Sequence, residues 1–253
     1  MYAEERQGAI VERARSRGRV EVASLASALG VSLETVRRDL GTLEKRGMLR
    51  RTHGGAVPVE RLRFEAEVAE RQSEQVAEKA RIAEAALEFL PERGTVALDA
   101  GTTTASLADL LPAGRELTVL TNCLPIASAL AANDSLKVVI SGGRVRARTL
   151  AAVDDAAARF LDEFSPDVAF VGSNGVSARR GFTTPHEAEA AAKRAFVRGA
   201  ELVVALADHT KVGRDHFVRF ARPEEVDVLI TDTGLDEAGA AELEEVGIQV
   251  LRV

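Results

Sequence analysis

The sequence predicts an α/β chain of two domains: an N-terminal winged helix-turn-helix domain, then a mainly parallel α/β sheet domain. Three observations carry this prediction. Apolar residues recur at helical spacing in three short stretches before residue 46, and a glycine pair follows them. From Gly94 onward, short apolar runs alternate with helical segments. The charge divides between these two stretches. Residues 1–56 hold 11 Lys and Arg against 7 Asp and Glu, a net of +4. The remainder holds 22 against 32, a net of -10, out of 33 and 39 in all. A basic segment can neutralise phosphates while an acidic body stays off nucleic acid.

In the first domain, Ile10, Val11 and Ala14 mark a helix ending near Gly18. Arg19–Val22 reads as extended. Leu25, Ala26 and Leu29 mark a second helix, stopped by Gly30. Ser32 is placed as the N-cap of a third helix, Ser32–Arg46, with Leu33, Val36, Leu40 and Leu43 as its apolar stripe and Gly47 as its end. Met48–His53 reads as a strand, and Gly54-Gly55 as a tight turn. Residues 60–90 read as a long helical region, whose first part is the linker. Strands are then expected at 95–99, 117–120, 136–140, 168–171, 202–206, 226–230 and 248–251. The expected division is 1–57 for the winged helix-turn-helix domain, 58–75 for a helical linker and 76–253 for the sheet domain.

Composition excludes several classes. The chain is 46% hydrophobic and 28% charged, as globular proteins are. No apolar run approaches the roughly 18 residues of a membrane span. The polar start has no apolar signal core, so a cytoplasmic setting is expected. With a single cysteine, Cys123, and four His, no disulfide, metal site or cofactor is expected.

The third helix has the chemistry of a DNA reader. Its outer face is expected to show Glu34, Thr35, Arg37, Arg38 and Asp39. Arg can grip guanine with two hydrogen bonds in the major groove, and Ser32 or Thr35 can touch bases or phosphates. Arg50, Arg51 and His53 stand on the wing. The plainer alternative is a solvated helix whose arginines pair with Glu34 and Asp39.

In the second domain, strand 95–99 runs into Asp99-Ala100-Gly101-Thr102-Thr103-Thr104. Hydroxyls and free N–H groups at a helix start make a phosphate cradle, and Asp99 can accept from sugar hydroxyls. The alternative is that Thr102 only caps the helix. Further strand ends carry Asn122, Gly142 and Gly143, Asn174, and Asp208 with Lys211. Lys211 supplies a cation for a phosphate dianion, or is an ordinary surface lysine.

These residues carry a resemblance. Val31-Ser32-Leu33-Glu34-Thr35-Val36-Arg37-Arg38-Asp39-Leu40 and His53-Gly54-Gly55-Ala56 resemble the DNA-binding domain of the DeoR family of bacterial transcription regulators. Asp99-x-Gly101-Thr102-Thr103-Thr104, Thr121-Asn122, Ser141-Gly142-Gly143, Phe170-Val171-Gly172, Gly181 with Thr183, Glu187 with Lys193, Asp208-x-x-Lys211 and Ile230-Thr231-Asp232 resemble its effector domain. That domain is related to ribose-5-phosphate isomerase. The resemblance implies a repressor of sugar catabolic genes, binding double-stranded operator DNA and a phosphorylated sugar, with Glu187 and Lys193 added to the ligand site. Two positions depart from the pattern: Cys123, where the family often has Ser, and Asp154, near a common glycine.

Two other readings stay open. An isomerase would need a general base, and the loop Gly172-Ser173-Asn174-Gly175 lacks the carboxylates of the related enzymes. A DNA-binding protein with an idle second domain would have no use for so many polar strand ends. A homo-oligomer, dimer or tetramer, is expected, since one such domain makes too few base contacts for specificity.

Overall fold

The computed structural model of the chain describes residues 3–17, 20–45, 48–52, 54–58 and 68–253. It divides into two compact units, Met1–Phe64 and Glu65–Val253.

The first unit runs α1 (Ala3–Arg17), β1 (Val20–Glu21), α2 (Val22–Leu29), α3 (Leu33–Lys45), β2 (Leu49–Thr52) and β3 (Gly55–Pro58). Helix α2 stops because Gly30 turns left-handed, at φ 64°, and returns its N–H to Ala26 O. Ile10, Ala14, Leu25, Val36, Leu40, Leu43, Leu49 and Ala56 form one buried cluster. Leu33 is not in it: it is 46% exposed, because the buried stripe of α3 begins only at Val36. Strand β3 lies between β1 and β2, antiparallel to both. Thr52 pairs with Gly55, so Gly55 belongs to β3 and not to the expected Gly54-Gly55 turn. A side chain at Gly55 would meet Val20 O at 2.0 Å; glycine is what lets β1 come so close. The expected stops Gly18 and Gly47, and the wing residue His53, lie outside the described residues.

The second unit opens with α4 (Val68–Ser73) and α5 (Val76–Ala86). The long helix expected over 60–90 is therefore broken, at Gln75, whose φ of 50° no helix continues through. A classical βαβ alternation follows: β4 (Arg93–Leu98), α6 (Thr102–Asp109), β5 (Glu116–Thr121), α7 (Leu124–Leu130) and β6 (Leu136–Ile140). Then come β7 (Arg144–Arg146), β8 (Ala151–Val153), α8 (Asp154–Leu161), β9 (Val168–Gly172), β10 (Gly175–Ser177), β11 (Gly181–Thr184) and α9 (Glu187–Gly199). The unit ends with β12 (Leu202–Leu206), β13 (Val218–Ala221), β14 (Val228–Thr231), α10 (Glu237–Glu244) and β15 (Gln249–Arg252).

The seven expected strands form one sheet, in the order β15-β14-β12-β9-β4-β5-β6, and every neighbouring pair is parallel. Alternate residues serve opposite faces. Val96, Leu98, Val168, Phe170, Val204 and Leu206 pack with Ile82, Leu107 and Ile126 of α5, α6 and α7. Ala97, Ala169, Val171, Val203 and Ala205 pack with Phe196 of α9 and Leu243 of α10. The chain builds outward from β4 through β5 to β6, then returns to β9 on the other side of β4. That reversal leaves a crevice at the carboxyl ends of β4 and β9, where open α/β sheets place ligands. The hairpin β7–β8 and the antiparallel sheet β10-β11-β13 were not expected.

Candidate functional site

Helix α3 presents a polar face to solvent. Ser32 caps it: Thr35 N donates to Ser32 Oγ at 3.1 Å, and the two hydroxyls stand 2.9 Å apart. Glu34, Arg37 and Arg38 are exposed. Arg37 reaches Glu34 only loosely, at 3.7 Å. Asp39 departs from expectation. It is buried, and it accepts from Arg6 Nε at 2.6 Å and Gln7 Nε2 at 3.0 Å. Burial pushes its carboxyl up, but those hydrogen bonds and the Arg6 charge outweigh burial and hold it below the usual carboxylate range. Asp39 therefore braces α3 against α1, with both its oxygens engaged by Arg6 and Gln7. Arg50 and Arg51 lie on β2; their side chains, with His53, fall outside the described residues.

In the crevice, Gly101 starts α6 without a side-chain cap. The first intrahelical bond is Ala105 N to Gly101 O, so the amides of residues 102–104 have no partner within the helix. The three hydroxyls are not equivalent. Thr104 is fully buried and donates to Asp99 O at 2.7 Å, so it shapes the loop. Thr103 is buried and Thr102 half-buried. Asn122 is likewise structural: its Oδ1 accepts from Ala100 N at 3.1 Å, and its Nδ2 donates to Ala152 O at 3.1 Å. Gly142 is exposed; Gly143, at φ 131°, lets the loop pass β8, since a side chain would meet Val153 O at 2.8 Å. Asn174 takes part through its backbone, N–H to Thr183 O and O from His216 Nε2.

The centre of the crevice is a buried ion network. Lys193 donates to Asp99 Oδ2 and, at 2.9 Å, to Gly172 O; Gly172 N donates to the same Asp99 oxygen at 3.2 Å. Asp99 is 1% and Lys193 4% exposed. Burial pushes the Asp99 carboxyl up against the pull of Lys193. One turn before Lys193 on α9, buried Glu189 accepts from Thr149 Oγ1 at 2.6 Å and Arg146 Nη1 at 2.8 Å. Glu187, the residue expected beside Lys193, is exposed instead. Beyond β12, Asp208 is buried and holds Thr210 through both its N–H and its hydroxyl; Lys211 stands 3.6 Å from it.

Two family models match the chain. Residues 6–61 match the DeoR-like helix-turn-helix domain, and residues 74–233 match the DeoR C terminal sensor domain. The chain belongs to the DeoR family. It is 39% identical to the HTH-type transcriptional regulator GlpR of Haloferax volcanii, over 99% of this chain and 98% of that one. It is 29% identical to the glycerol-3-phosphate regulon repressor of Escherichia coli, over 92% of each. Among solved structures it is similar to ribose 5-phosphate isomerase A of Neisseria gonorrhoeae, with 21% identity, 53% of this chain and 52% of that one covered, and a TM-score of 0.40.

Membership makes this chain a DNA-binding regulator of transcription with a sensor domain. Both departures from the DeoR pattern find their place. Asp154 has φ 79°, a backbone that favours glycine, and its carboxylate accepts from Arg144 Nε at 2.7 Å. Cys123 is buried and its thiol is pushed up to about 11, mainly by that burial, so it is an inert filler. Sequence reading missed Glu189, Arg146 and Thr149 in this crevice. The (i, i+4) spacing of Glu189 and Lys193 on α9 was the available signal. Among the described residues, no helix is long and apolar enough to cross a membrane.

Proposed function

We propose that this chain is a repressor that leaves its operator when a phosphorylated sugar occupies the crevice. The observation that carries the reading is the uncapped start of α6 at the switch point of the sheet. Its open amides and positive dipole end suit a phosphate, with Lys211 as counter-charge. Asp99, Gly101, Thr102, Thr103, Asn174, Lys193 and Asp208 frame the sugar. Gly142 and Gly143 shape the rim. One relative, the glycerol-3-phosphate regulon repressor of Escherichia coli, supports a phosphorylated effector. Residues 1–57 read DNA through Ser32, Thr35, Arg37 and Arg38, with Arg50, Arg51 and His53 on the wing; 58–75 link; 76–253 sense. The active form is a dimer or larger, to span two half-sites.

Regulation is favoured over isomerisation by the state of the carboxylates. Asp99 is committed to Lys193 and Gly172, Asp208 to Thr210, and Glu187 is exposed at the start of α9. None is poised as a general base.

The test is an operator titration with phosphorylated and free sugars, for wild type and Lys211→Ala. Phosphates should weaken operator binding and free sugars should not. Lys211→Ala should need more effector to reach the same release. Equal action by free sugars would reject the reading.

A further inference from the structure

Helix α4 is the first described element after the stretch that leaves the DNA-binding unit, and both its ends are tied to the sensor. At its start, Val68 N donates to Arg148 O at 3.3 Å, between Arg146 and Thr149, the two residues that hold Glu189. At its end, the ammonium of Lys79, on α5, donates to Arg71 O and, at 2.6 Å, to Glu74 O. Lys79 is only 5% exposed. An ammonium that deep is costly unless its donors are used, and here two of them close the break between α4 and α5. The break is strained: Gln75 stands there at φ 50°, a conformation non-glycine residues avoid.

Lys79 also answers to the crevice. Three residues on in α5, Ile82 packs with Val204 and Leu206 of β12, the strand that leads into Asp208. Burial lowers the Lys79 pKa, Asp208 raises it and Lys211 lowers it further. Asp208 and Lys211 are themselves 3.6 Å apart. The Lys79 ammonium thus holds the carbonyls that end α4 and feels the charges that follow β12.

We infer that Lys79 is a coupling residue, which passes the state of the Asp208–Lys211 pair to the α4–α5 break. The inference rests on the effector reading given above. An anion that engages Lys211 withdraws a positive charge from Asp208. The field of Asp208 then falls on Lys79, and the ammonium's pull shifts from the Arg71 and Glu74 carbonyls toward that carboxylate. The strained turn at Gln75 loses its clasp, and α4, through which the chain reaches the DNA-binding unit, is released at its carboxyl end. A ligand shifts an equilibrium only by its differential affinity for two states; the clasped and open forms of this turn supply those states.

The test uses the full chain, an operator selected from random double-stranded DNA, and a panel of glycerol 3-phosphate, ribose 5-phosphate, fructose 1-phosphate and glucose 6-phosphate. Lys79→Met keeps the stem and loses the charge; Lys79→Arg keeps the charge. The phosphate that moves wild type most should change its operator affinity by about 5- to 150-fold. In Lys79→Met the same phosphate should bind within about threefold of wild type by calorimetry, yet change operator affinity less than about twofold. Lys79→Arg should keep part of the response. In wild type, effector should speed amide exchange over residues 72–79; this holds the inference to account even if Lys79→Met fails to fold. A normal operator response in Lys79→Met, or wild-type exchange unchanged by effector, would overturn the coupling alone. Loss of effector binding in Lys79→Met would make Lys79 a contact residue and overturn it too. A wild type that responds to none of the panel removes the effector reading, and the coupling with it.

Discussion

On α3, Arg37 and Arg38 stand in solvent and the Arg37–Glu34 pair is loose, whereas in the crevice Asp99 and Lys193 are both nearly inaccessible and share their remaining bonds with Gly172. Charges held in water stay free to exchange one partner for another, as a reader of phosphates and bases must. Charges taken out of water are fixed by one another, so displacing either is expensive. The first arrangement suits recognition of DNA. The second suits a site that must keep its shape until a charged ligand arrives. Asp39 shows the contrast within α3 itself, since the one acidic residue that turns inward is fully engaged.

Five substitutions sharpen this comparison. The largest effect belongs to Lys193→Met, which strands the Asp99 carboxyl in the core. Removing one partner of a buried pair costs about 3–5 kcal/mol, so thermal unfolding of the sensor should shift down by many degrees. A shift within a degree of wild type would mean that the pair is not closed off from water.

Next come Arg37→Ala and Arg38→Ala. Folding should be unchanged, while operator affinity falls by about 1–3 kcal/mol if the lost residue reads a guanine. A phosphate contact would show instead as a salt slope smaller by about one unit. Titrations at several salt concentrations separate the two.

Asp39→Asn tests the inward charge. A carboxyl held low contributes stability that is present above its unfolded pKa, near 4, and lost as pH falls through the folded value. Amide exchange of α3 in the full chain should therefore speed up on acidification in wild type, and depend less on pH in Asp39→Asn. The smallest effect is that of Glu34→Gln, where loss of an exposed pair should change stability by less than about 0.5 kcal/mol.

Much of this was legible in the chain. The seven sheet strands could be read because each is an apolar run between polar ends, and a parallel sheet buried on both faces demands that. Strands β7, β8, β10, β11 and β13 could not, being three or four residues long with no periodicity to detect. Asp39 was misplaced because its charge suggested solvent, although it sits one residue before Leu40 and three after Val36; its partner Arg6 is 33 positions away. In the site, Asp99, Lys193, Asp208 and Lys211 were readable as polar groups at strand ends or in a known motif. Glu189 and Lys79 drew no reading from the sequence, because their partners Arg146, Thr149, Arg71 and Glu74 are polar groups that only folding brings to them.

The central claim is that the crevice and α3 are linked, and linkage is reciprocal. The most direct measurement is the affinity of the full chain for its active sugar phosphate, by calorimetry, with and without saturating operator. The account predicts that operator weakens sugar-phosphate binding by the same factor by which sugar phosphate weakens operator binding, about 5- to 150-fold. Sugar-phosphate affinity that is indifferent to operator would contradict it.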